Sequence, residues 1–118
     1  MWAFLDRWGG LLVLSGISKR DPGETLVGVD DAFGEARASI TDVQFFSGVH
    51  VSFKFEIAPG DLPTLATGLA RAGVELDETS LGGLAEATKL EREVQGTLAI
   101  TLAHGDPDLR QEIPKVPG

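Results

Sequence analysis

The chain has 118 residues, 42% of them hydrophobic and 24% charged, with a formal net charge of −8. This is the makeup of one globular domain, not of a disordered segment. It contains no cysteine and no tyrosine, which excludes a disulfide framework, a thiolate metal site, a cysteine nucleophile and tyrosine acid–base chemistry.

The acidic surface repels phosphate backbones and anionic bilayers, so nucleic acid is not expected as a partner and a membrane is disfavoured. Lys19-Arg20 is the only adjacent basic pair in the sequence. The lack of cysteine fits a cytoplasmic location.

In chain order, residues 1–8 (MWAFLDRW) read as an aromatic N-terminal arm, with Trp2, Leu5 and Trp8 three residues apart. The arm is expected to cap one end of the core; the alternative is an exposed patch for a partner or a membrane surface. The apolar run from Trp8 to Ile17 is preceded by one Asp6 and one Arg7. It therefore lacks the positive flank of a signal peptide, and it is too short to span a bilayer.

Gly10–Ser18 reads as the first strand. Lys19–Glu24 contains Asp-Pro-Gly and reads as a turn, followed by a second strand over Thr25–Val29 in hairpin with the first. Asp30–Glu35 is then an acidic loop whose carboxylate spacing does not match an EF-hand.

The stretch from Ile40 to Ile57 organises the rest. Two alternating runs flank Ser47-Gly48, a two-residue hairpin loop that places Phe46 opposite Val49. In that register Ile40, Asp42, Gln44, Phe46, Val49, Val51, Phe53, Phe55 and Ile57 share one face. Val43, Phe45, His50, Ser52, Lys54 and Glu56 share the other, mixed face.

Pro59-Gly60 ends the hairpin. The main helix follows over residues 61–72, with Asp61 as N-cap, Gly73 as C-cap, and Gly68 allowing close packing on the sheet. Val74–Leu76 is extended. Residues 80–89 form a second short helix capped by Thr79 or Ser80, and Leu90–His104 alternates as a closing strand with a bend or bulge at Gly96. The Pro-containing tail, residues 105–118, reads as extended.

The expected fold is α+β: an antiparallel sheet of about five strands with the main helix packed on one face. A crossover through that helix is compatible with a split βαβ arrangement.

Groups for catalysis are few. His50 and His104 are the only histidines, and no H-E-x-x-H, P-loop, G-x-S-x-G or G-x-G-x-x-G pattern occurs. No metal and no cofactor is expected.

Asp42 points to the apolar face in the proposed register, where a lone carboxylate is costly. A bulge that turns it outward, a partner that satisfies it, or a site with a raised pKa are the three readings, in that order. His50 reads as a half-exposed strand residue, or as a proton-transfer group on an open face.

The sequence thus predicts a non-catalytic acidic protein-binding module, such as an adaptor, inhibitor or accessory subunit. Its partner is another protein or itself, and its binding residues are Phe45, His50, Asp42, Trp2 and Trp8. The alternative is a small-molecule or sensory site between helix and sheet.

Overall fold

The computed structural model describes residues 11–104. In chain order these form β1 (Leu11–Ser18), α1 (Pro22–Glu35), β2 (Ser39–Ser47), β3 (His50–Ile57), a 3-10 turn (Pro59–Asp61), α2 (Leu62–Arg71), β4 (Glu75–Leu76), α3 (Glu78–Ala87) and β5 (Val94–Leu102). The five strands make one sheet in the order β2-β3-β5-β1-β4. The fold is α+β, as the sequence predicts. The sheet is mixed and not purely antiparallel, because β5 enters between β3 and β1 and runs parallel to β1. Without β5, the remaining strands stand in the order of a split βαββαβ unit.

The largest departure from the sequence reading is α1, where a turn, a strand and an acidic loop were expected. Asp21 is an N-cap whose carboxylate accepts from the Glu24 backbone N–H at 3.0 Å, and Pro22 occupies the first turn. There the missing N–H is harmless. Thr25, Val29, Ala32 and Phe33 are buried, a spacing of one helix face. The Asp-Pro-Gly-Glu string that looks like a turn is therefore a helix start.

Two small-residue pairs set the helix layer. A Cβ at Gly28 would lie 2.7 Å from the Ala72 Cβ, and one at Gly68 would lie 2.6 Å from the Ala32 Cβ. Gly28 and Ala32 on α1, and Gly68 and Ala72 at the end of α2, stand four residues apart, so each pair makes one row along its helix. The rows meet in antiparallel order, with the Ala32 and Ala72 methyls set against the glycines of the facing helix. Gly68 thus packs on a helix, not on the sheet.

Beneath this layer, Phe33 of α1 lies 5.7 Å from the Phe53 ring and 5.1 Å from the Phe55 ring. The Phe55 ring fills the space above Gly96. Gly96 stays in register with both neighbouring strands, so its role is to admit a ring and not to bend β5. Leu12, Leu14, Val51, Ile57, Leu62, Leu65, Leu69, Leu98 and Ile100 are among the side chains buried in the same core.

The helix ends differ from expectation in two places. Asp61 makes no capping bond; its carboxylate faces Arg37 at 3.3 Å. The cap of α3 is Asp77, which accepts from the Ser80 backbone N–H at 2.8 Å. The Ser80 hydroxyl, in turn, accepts from the Ser15 N–H at 2.7 Å. Just beyond the two residues of β4, the start of α3 therefore takes up the Ser15 backbone, the Ser80 hydroxyl on its N–H and the Asp77 N–H on its carbonyl at 3.1 Å. The closing strand starts at Val94, four residues later than its alternation suggests.

Replacing Gly68 by Leu is expected to destabilise the fold by about 1–3 kcal/mol through overpacking against Ala32. Gly82→Ala, on an exposed helix position with nothing within 4 Å, should stabilise by up to about 1 kcal/mol. Urea unfolding midpoints of the two variants move in opposite directions if this account of the helix layer is right.

Hydrogen bonds from Ser80, side chain first and then backbone, hold the Asp77 carboxyl below its ordinary value. The stability this adds is present above the unfolded carboxyl pKa and is lost as pH falls through the lower folded value. Asp77→Asn should therefore flatten the acid limb of a stability-against-pH curve, and an unchanged limb would show that the cap carries no charge-dependent stability.

Candidate functional site

The β2–β3 hairpin reverses at Gly48-Val49, with Ser47 opposite His50, one residue beyond the predicted loop. At its base Ile40 faces Phe55, as predicted. Between these ends β2 carries two irregularities: Thr41 and Phe46 have no partner on β3. Each extra residue resets which side chains share a face.

The first bulge answers the puzzle of Asp42. It moves Asp42 opposite Lys54, on the face away from the helices, and the carboxylate is exposed. This is the outward turn that ranked first among the sequence readings. The same reset moves Val43 opposite Phe53 and Phe45 opposite Val51. Both therefore lie on the helix side of the sheet, not on the mixed face with His50 as expected.

The helices do not reach this far. Every position of β2 except Ile40 is exposed, with Phe45 at 63% and Phe46 at 67%. Val43, Phe45 and Phe46 form an apolar strip along a strand whose outer edge has no neighbour among the described residues. Asp42 is the one ionisable side chain on β2.

His50 opens β3 on the opposite face, exposed, with its Nδ1 3.4 Å from the Thr101 hydroxyl of β5. Ser52, Lys54 and Glu56 follow it on that face. The structure thus separates Phe45 from His50, which the sequence reading placed on one face, and brings Asp42 onto the His50–Lys54 face, where that reading did not place it. Trp2 and Trp8 lie outside the described residues.

A second feature escaped the sequence reading. A cleft of about 720 Å³ opens at the other edge of the sheet, between α2 (Ala66, Ala70), α3 (Leu81), β4 (Glu75, Leu76), Ile17 and the Lys19-Arg20 pair. It exists because α2 is drawn to α1 by the glycine contacts while α3 packs on β1. Alanines 66 and 70 are too short to fill the gap.

Arg20 is held at the rim. Its Nη1 donates to the Arg71 carbonyl at 2.7 Å, and its backbone N–H donates to the Ser18 hydroxyl at 3.2 Å. Its stem lies across Gly73, where φ is +94° and a Cβ would meet the Arg20 Cδ at 2.6 Å. The signal for this site was present as the one adjacent basic pair of an acidic chain. It carried no meaning until the fold set it beside apolar walls.

Among the described residues, no group of three or more histidine, aspartate or glutamate side chains is placed to hold a metal ion. No helix among them is long and apolar enough to cross a membrane. No family model matches the chain, and no curated protein or solved structure matches it with significance.

If the exposed aromatics serve binding and not folding, Phe46→Asp should change stability by no more than about 0.5 kcal/mol, as at other exposed positions. Phe33→Ala in the core should cost about 3–5 kcal/mol. Thermal or urea unfolding of the two variants measures the contrast.

Proposed function

We propose that this chain is a protein-binding module that takes up an extended strand along the free edge of β2, and that the strand it takes up is β2 of a second copy. The exposed Val43–Phe45–Phe46 strip on an unpaired edge carries this reading. An edge strand offers a row of backbone donors and acceptors, and alternate side chains supply the specificity.

The two bulges delimit the usable stretch to Asp42–Phe45. A two-fold axis perpendicular to the sheet, passing beside Gln44, keeps both helix layers on one side. It places Gln44 opposite the partner's Gln44 and Val43 opposite the partner's Phe45, so the apolar side chains of the two strands cover one another. The near-absence of charge on β2 favours a like partner over a basic one. Two copies meet with little like-charge opposition at the seam, despite the net charge of −8. The acidic pair Asp31 and Glu35 flanks the groove between α1 and α2, away from this edge. Nothing in the reading calls for a reaction step or a cofactor.

The cysteine-free background gives a direct test. Gln44→Cys should form an intermolecular disulfide on mild oxidation, because directly opposed residues bring their Cβ atoms to about 5 Å, whereas Ser39→Cys should not. Sedimentation should show a concentration-dependent dimer that Phe45→Glu converts to monomer without loss of the fold. A wild-type chain that stays monomeric at high concentration, with no selective crosslink at position 44, overturns the self-pairing.

A further inference from the structure

We propose that the cleft between α2, α3 and β4 is a binding site for a small amphipathic carboxylate. Its acid group meets Arg20 and Lys19, and its hydrocarbon body lies along Ala66, Ala70, Ile17 and Leu81. The observation is independent of the β2 strand, which forms the opposite edge of the sheet.

The cleft volume of about 720 Å³ is within the range of small-molecule sites, which combine apolar walls with a few fixed polar groups. The walls here come from alanine, leucine, isoleucine and valine side chains. The charged groups are few, Lys19, Arg20 and Glu75, beside a wall of aliphatic side chains, so a ligand with a polar head and an apolar body suits the lining better than a sugar or a free phosphate.

The sign of the head group follows from charge. Two cations and one carboxylate, Glu75, line the cleft, in a chain whose net charge is −8. The ion pairs among the described residues join Arg37 to Asp61 and Arg71 to Glu35; Lys19 and Arg20 take part in neither. Arg20 has five N–H donors and uses one on the Arg71 carbonyl. That bond, with the stem laid over Gly73, fixes the guanidinium before any ligand arrives, and a fixed donor loses less freedom on binding. Were Arg20 only a cap for the last turn of α2, neither the open apolar cleft beside it nor Lys19 at the same rim would follow from that role.

Octanoate, octanol, octylammonium and inorganic phosphate, each titrated into the full chain and followed by amide NMR shifts, separate the possibilities. Octanoate should give saturable shifts centred on Ile17, Ala66, Ala70 and Leu81. Octanol and octylammonium should bind about tenfold more weakly or not at all, because they forfeit the charge-assisted hydrogen bonds. Phosphate should not compete.

Ala70→Leu, which adds an isobutyl group to one wall of the cleft and leaves the Arg71 carbonyl that Arg20 uses unchanged, should weaken the octanoate shifts. Lys19→Gln should weaken them without altering the fold. No saturation with octanoate, equal binding of octylammonium, competition by phosphate, or full binding in Ala70→Leu would each overturn the proposal. Shifts centred on Phe45 and Phe46 would also overturn it, by placing the ligand on the strand edge.

Discussion

The contact between α1 and α2 governs the helix layer, and through it both candidate surfaces. Glycine and alanine alternate across the crossing, Gly28 against Ala72 and Ala32 against Gly68, so the two backbones approach as closely as side-chain-free positions allow. Helices that close cannot also spread to cover a five-stranded sheet. Phe33, carried by α1, is committed to Phe53 and Phe55 of β3. The layer therefore ends over β3 and leaves β2 bare. On the other side α2 is held away from α3, whose own anchor is β1 through Ser80 and Ser15. The bare edge and the cleft are two results of one packing choice.

The two edges of the sheet are treated in opposite ways. At β4 the ladder is cut to two residues, and the Asp77–Ser80 cap takes the backbone N–H and carbonyl of Ser15 just beyond it. At β2 nine residues run along the edge with one charge, no proline and three large exposed apolar side chains. Natural sheets blunt their edges against chance pairing, and this chain does so more strongly at β4 than at β2. Its two bulges limit the free edge without closing it. That asymmetry supports the reading of β2 as the surface where a partner strand is received.

Much of the architecture was legible in residue order. The alternation in the hairpin and in β5, the Asp61–Gly73 helix window and the short Val74–Leu76 run all correspond to elements, because local periodicity and turn chemistry act over a few residues. The reading failed at α1. Asp21-Pro22-Gly23-Glu24 satisfies both a turn and a helix start, and Val27, apolar but 63% exposed, interrupts the buried face formed by Thr25, Val29, Ala32 and Phe33. Only the contact of those four residues with the sheet and α2 decides for helix. The candidate surface was legible in part. Phe45 was singled out for an aromatic face that it does not share with His50, because a one-residue bulge reverses every side chain after it, and the one local mark of that bulge, Asp42 on an apolar face, does not fix the residue at which it falls.

The sequence by itself determined the composition of the core, the period of most elements, the absence of thiol and tyrosine chemistry, and an acidic surface with one basic pair. Those properties belong to single residues and their near neighbours. The tertiary structure alone decided that β5 lies between β3 and β1, that Asp42 faces outward, that the apolar outer edge of β2 has no neighbour among the described residues, and that Lys19 and Arg20 stand beside a cleft. Each of these depends on which backbones come within reach of one another across tens of residues, a balance of packing volume and hydrogen-bond pairing that no short stretch of the chain encodes.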